Sequence, residues 1–135
     1  KIMANTTFSG PVRSENGFEQ VTKNATTGAF TTNATYNSGI IGGVQSLSGA
    51  GAVDTTNLVT EITTTGADAL TLANGSVGQI KIITMIVDGG NGTLTPTTFA
   101  NGSTITFDAV NETVCLLFAN TIGWVVVSNS GATVA

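Results

Sequence analysis

The chain has 135 residues and a net charge of −4, with charged side chains at 9% of positions and hydrophobic ones at 41%. That is one domain's length with a modest core. The charge argues against a nucleic-acid partner, because Lys1, Arg13, Lys23 and Lys81 are the only basic residues and are too scattered to track phosphates. There is no histidine and only one cysteine, which removes intrachain disulfides, multi-cysteine zinc sites and the His-dependent triads.

Thr is the commonest residue, followed by Gly, Ala, Val, Asn and Ile. Branching at Cβ favours the pleated, half-buried surface of a strand, and Gly and Asn supply tight turns. From Leu58 onwards the apolar content and low net charge are unlike those of a disordered chain. The expected fold is all-β: a small antiparallel β-sandwich or barrel-like domain with an extended N-terminal arm.

Lys1-Ile2 reads as a vector-derived remnant before a native start at Met3, and no apolar signal segment follows. Residues 1–43 form the expected arm. Its apolar residues (Phe8, Val12, Phe18, Val21, Phe30, Tyr36, Ile40 and Ile41) come singly, with neither helical nor sustained strand periodicity. Such a segment gains order by lying on another surface, or else packs as short edge strands on the main domain. Residues 44–56, rich in Gly, Ala and Ser, read as a linker, and 57–135 as the β-domain.

In that domain "NLVTEITT" (57–64) alternates, with Leu58, Thr60 and Ile62 opposite Val59, Glu61 and Thr63. "ALTL" (69–72) is short. "QIKIITMIV" (79–87) sets Ile80, Ile82, Thr84 and Ile86 against Lys81, Ile83, Met85 and Val87, and apolar character on both faces predicts a central strand covered on both sides. "TLT" (93–95) runs into Pro96, which confines it to an edge or a strand end. "STITFD" (103–108) points Ile105 and Phe107 inward, and "TVCLLFA" (113–119) and "WVVVS" (124–128) complete the set. No apolar run approaches the roughly 20 residues of a membrane helix, so no membrane partner is expected.

"TLANGS" (71–76) and "TFANGS" (98–103) nearly repeat, and "LFANTIGW" (117–124) echoes them. Asn-Gly favours type I′ hairpins, so the echoes read as corners, and their unequal spacing argues against a solenoid. Asp88–Gly92 reads as a hairpin loop, since one carboxylate and one amide are too few for calcium. Asp68, Asp88, Asp108 and Glu112 could in principle serve a glycosidase, but most sit at predicted turns, where solvated carboxylates are the default. Cys115, between Val114 and Leu116, reads as a small buried hydrophobe, and Trp124 as core. No cofactor and no catalytic residue is expected.

The segment Gly78–Ala135 carries in order GQ-I-K-I-I, DGG-x-GTLTP, G-x-TITF, V-x-LLF, W-x-VV and NSGATV. It resembles a β-rich segment of virion structural proteins of tailed phages, often marine ones. The start, "MANTTFSGPVRSENGFEQVTKNATTGAF", is similar to that of small head proteins that decorate capsids. The resemblance implies a capsid decoration (cement) protein on the virion surface, not an enzyme, whose partners are the major capsid protein and further copies of itself in a homotrimer. Under it the arm contacts the capsid, with Phe8, Arg13, Phe18 and Phe30 as candidate contacts. Related segments in fibres leave a tail-fibre, spike or head-fibre module that binds host glycans as the alternative, with a glycan-active enzyme behind it.

Overall fold

A computed structural model of the chain describes residues 18–36 and 40–135. The described residues contain strands and no helix, and the chain divides into two compact units, Lys1–Ile41 and Gly42–Ala135.

The described part of the first unit is a three-stranded antiparallel sheet of β1 (Phe18–Lys23), β2 (Phe30–Tyr36) and β3 (Ile40–Ile41), in that order. The hairpin turn is organised by Asn24, whose Oδ1 accepts the amides of Thr26 and Thr27 at 2.8 and 2.9 Å. An Asx side chain that caps the turn in this way sets the reversal locally. The hairpin therefore forms where apolar periodicity gave no strand.

The second unit holds ten strands: β4 (Val44–Ser48), β5 (Gly51–Val53), β6 (Val59–Thr63), β7 (Asp68–Leu72), β8 (Ile80–Val87), β9 (Gly92–Pro96), β10 (Ile105–Phe107), β11 (Thr113–Ala119), β12 (Gly123–Ser130) and β13 (Thr133–Val134). They make two five-stranded sheets, β12-β11-β8-β6-β4 and β13-β10-β9-β7-β5. The expected small β-sandwich is present, and its sheets are mixed. Consecutive strands from β4 to β9 alternate between the two sheets, and within each sheet β4-β6-β8 and β5-β7-β9 run parallel. The chain thus winds through three stacked turns, β4–β5, β6–β7 and β8–β9. Strands β10 to β13 then pair antiparallel against this coil and against one another.

Two expectations change here. The stretch 44–56 carries β4 and β5 as well as bends, because Gln45 and Leu47 turn inward while Ser46 and Ser48 face out. Asp88–Gly92 is a corner between sheets and not a hairpin. It lies on the corner below it: the Asp68 amide donates to the Asn91 carbonyl and the Thr64 amide to that of Val87. Gly90, at φ 143°, passes so close to the Gly66 backbone that a side chain has no room. The coil escapes a repeat search because its corners differ in length.

The core between the sheets is one cluster that includes Ile62, Leu70, Leu72, Ile83, Met85, Leu94, Ile105, Phe107, Leu116 and Trp124. Ile105 and Phe107 point inward as the pattern predicts, and in 57–64 and 79–87 the fold selects the face of Ile62 and the face of Ile83 and Met85 as the inner one. Pro96 closes β9, at a strand end. Trp124 is fully buried, packs edge-on against Phe118 at 5.2 Å, and donates from Nε1 to the Ala73 carbonyl at 2.9 Å. The first echo, Asn74-Gly75, passes under that ring, which leaves Gly75 no space for a Cβ. Neither Asn74-Gly75 nor Asn101-Gly102 has both residues at positive φ, so neither is a type I′ turn. Only the third echo, at Asn120–Gly123, is a hairpin, with Thr121 and Gly123 at φ 71° and 81°.

Cys115 is half-buried on the outer face, because Val114 and Leu116 take the inward positions on either side of it. Leu94→Ala should lower stability by about 2–5 kcal/mol through the cavity left in the core. Cys115→Ala should change it by about 0.5 kcal/mol or less. Urea unfolding midpoints of the two variants would check this ordering.

Candidate interaction surface

Pairing register places whole rows of side chains on the outer face of the sheet β12-β11-β8-β6-β4. One row reads Val44, Val59, Ile82, Cys115 and Ser128 across five strands. Beside it lies Ile80, Leu117 and Val125. A polar row of Ser46, Glu61, Thr84, Thr113 and Ser130 follows, in which the Thr113 and Thr84 hydroxyls are hydrogen-bonded at 2.8 Å. Glu61 is the only charged residue among them. Val44, Ile80 and Ile86 are 53%, 49% and 44% exposed. The expectation that β8 is covered on both faces is met only on the inner one, where Lys81, Ile83 and Met85 are inaccessible. What remains is an apolar sheet face with almost no charge, the kind of surface that marks an interaction site.

Of the candidate capsid contacts, Phe8 and Arg13 lie outside the described residues. Phe18 opens β1 and pairs with Tyr36, whereas Phe30 opens β2 and pairs with Lys23. The two phenylalanines therefore sit at opposite ends of one ladder and are not brought together. Phe30 is 66% exposed, with the Lys23 ammonium 5.8 Å from its ring centre, a cation–π contact.

Three of the four carboxylates weighed for catalysis, Asp68, Asp88 and Glu112, hold the backbone. Asp68 accepts the Thr65 amide at 2.8 Å, Asp88 that of Gly90 at 2.9 Å, and Glu112 that of Asp108 at 2.7 Å. Among the described residues, no three His, Cys, Asp or Glu side chains stand close enough to share a metal ion. A shallow groove of about 600 Å3 runs along Thr55, Thr56 and Asn74–Gln79, and its lining carries no charge.

An ionic cluster around the buried Lys81 joins the β5–β6 connection to β8, and the sequence reading missed it. Lys81 is inaccessible to solvent. Its Nζ donates to the backbone oxygen of Asn57 at 2.8 Å and lies 3.5 Å from Asp54 Oδ1. The same Oδ1 accepts the amides of Thr56 and Asn57 at 3.1 and 2.8 Å, and Oδ2 accepts Asn57 Nδ2 at 2.7 Å. Gln45 fixes the strand end below: its Oε1 takes the Asp54 amide and the Thr60 hydroxyl, each at 2.9 Å. A lysine in phase with Ile83 and Met85 on the inward face is the signal that could have revealed the site.

Burial pushes the Lys81 ammonium below its ordinary 10.5, against the opposing pull of the Asp54 charge. Desolvation draws the Asp54 carboxyl upward. The hydrogen bonds from Asn57 and the Lys81 charge outweigh it, so the group sits below its ordinary 3.8. The ionised Asp54 therefore contributes stability above pH 3.8 and loses it as the pH falls through the lowered native value.

No known protein family and no curated protein matches this chain.

Asp54→Ala strands the buried ammonium and should lower stability by on the order of 3 kcal/mol. Lys81→Met, which keeps the apolar stem and removes the charge, should cost clearly less. Urea titrations at neutral pH would rank the two. In the same assay run from pH 5 downwards, Asp54→Asn should show a shallower loss of stability in acid than the native chain.

Proposed function

We propose that this protein is a structural component of a tailed-phage virion, a decoration (cement) protein that sits on the outer capsid surface as a trimer and reinforces the head. The observation that carries the reading is the apolar outer face of the sheet β12-β11-β8-β6-β4. Two rows made mostly of Val, Ile and Leu, flanked by a Ser/Thr row that holds a single carboxylate, are suited to burial against a protein, here against further copies of the chain. The phage-like motifs GQ-I-K-I-I and NSGATV belong to β8 and to the end of the coil's antiparallel half, so the resemblance and the face fall on the same unit. The separate N-terminal unit supports a division of labour, with residues 1–41 meeting the capsid lattice and 42–135 forming the oligomer. Carboxylates committed to turns favour a binding role over catalysis.

Sedimentation of the native protein at micromolar concentration should give a trimer, whereas a double variant, Ile80→Lys with Leu117→Lys, should move towards monomer without loss of β-sheet circular dichroism. A native protein that is only monomeric would overturn the self-association. For the capsid contact, full-length protein should co-sediment with expanded, undecorated heads, and the fragment 42–135 should remain folded but stay in the supernatant. Equal binding by both would move the contact into the second unit.

A further inference from the structure

We propose that Lys81 and Asn57 become joined by an isopeptide bond, formed when Lys81 Nζ attacks the Asn57 side-chain carboxamide with Asp54 carrying the protons. The geometry that points to it is the placement of the Asp54 carboxylate. Its Oδ1 faces the lysine nitrogen at 3.5 Å and its Oδ2 holds the amide nitrogen of Asn57 at 2.7 Å. One carboxylate thus bridges a nucleophile and a leaving group.

Three further features fit the reaction. The Lys81 ammonium already rests on Asn57, at 2.8 Å from its backbone oxygen, so the required movement is from one carbonyl to the other of the same residue. Lys81 is wholly excluded from solvent, which makes the neutral amine easier to reach than in water. The carboxamide is also held in place: Asn57 Oδ1 packs so closely on Gly43 that no side chain fits there, and two backbone amides orient the carboxylate. Proximity of this kind is what converts a slow amine–amide exchange into an intramolecular step.

The atoms balance without a co-reactant. Asp54 takes a proton from the Lys81 ammonium, and the freed lone pair attacks Asn57 Cγ. As the Nζ–Cγ bond forms, a second proton leaves Nζ. Both protons pass by way of the carboxylate to Nδ2, the Cγ–Nδ2 bond breaks, and the nitrogen departs as ammonium. Asp54 is regenerated and nothing is oxidised or reduced. The product replaces a buried ammonium by a neutral secondary amide, which removes the charge that β8 otherwise keeps out of water.

The test is intact-mass spectrometry of the purified full-length protein, fresh and after prolonged incubation, followed by trypsin digestion under denaturing conditions. The expected mass is lower than that of the sequence by one ammonia. Because the only tryptic sites are Lys1, Arg13, Lys23 and Lys81, the modified chain should release residues 24–135 uncut, with cleavage after Lys81 abolished. Asn57→Ala, Lys81→Met and Asp54→Ala should each restore the full mass. A native protein that keeps its full mass after incubation would overturn the proposal. So would ammonia loss that leaves Lys81 cleavable, which would assign it to a succinimide at Asn16, Asn74, Asn91 or Asn101, each followed by Gly. A bond that persists in Asp54→Ala would overturn the role given to Asp54.

Discussion

Parallel register between successive turns of the coil is the constraint on which the rest of the second unit depends. Because β4, β6 and β8 pair in register, Leu47 stacks on Ile62 and Ile62 on Met85. In the opposite sheet Gly51, Leu70 and Leu94 stack in the same way, and Ile105 and Val134 extend the row. A slip by one residue in any pair would turn an entire inward row outward. The corners obey the same register, which is why Gly89 donates to the Thr64 hydroxyl and Gly49 to the Thr63 carbonyl. The outer rows are the other half of this alternation. The apolar face is aligned across five strands because the core is.

Lys81 sits inside that ladder at a position where its neighbours along the strand are Ile83 and Met85. An apolar side chain there would serve stability at least as well, since a buried ion pair seldom repays its desolvation. What the lysine adds is direction. It draws the Asn57 carbonyl and the Asp54 carboxylate to one point and thereby fixes the path of the β5–β6 connection. Gln79 reinforces the same path, since its Nε2 donates to the Thr55 carbonyl and its Oε1 accepts the Ser76 amide. The connection is thus held by polar groups that are all satisfied, among residues where short side chains leave little apolar area to bury.

Which side chains share a face was legible in the sequence where a strand alternates, as for Thr60 with Ile62, and for Ile105 and Phe107 the inward face was legible as well. Alternation fixes faces but not neighbours, so the parallel pairing of β4 with β6 and of β5 with β7 left no local mark. The Asn-Gly signal misled at 74–75 and 101–102 because the chain there crosses between sheets or makes a wide loop, where the positive φ values of a tight hairpin are not needed. Val44–Ser48 was obscured by flanking Gly and Ala, although Gln45 and Leu47 against Ser46 and Ser48 is itself an alternation. The Asp54–Asn57–Lys81 cluster left one mark, a lysine in phase with Ile83 and Met85 on the inward face. Its partners left none, because Asp54 and Asn57 lie far from Lys81 in the chain and are ordinary in their own context.

Parallel turns followed by an antiparallel cap also impose an order of events during synthesis. Strand β8, the middle of its sheet, has β6 on one side, but its other neighbour, β11, emerges much later from the ribosome. Ala135 closes the opposite sheet, since its carbonyl accepts the amides of Ser103 and Thr104 and its amide donates to the Thr104 carbonyl. A nascent chain halted after β9 has three stacked turns whose downstream edges are bare, a state of high contact order and exposed strand edge. The coil therefore cannot close until β10 to β13 have been made, and the yield of soluble protein should depend on how quickly they follow β9.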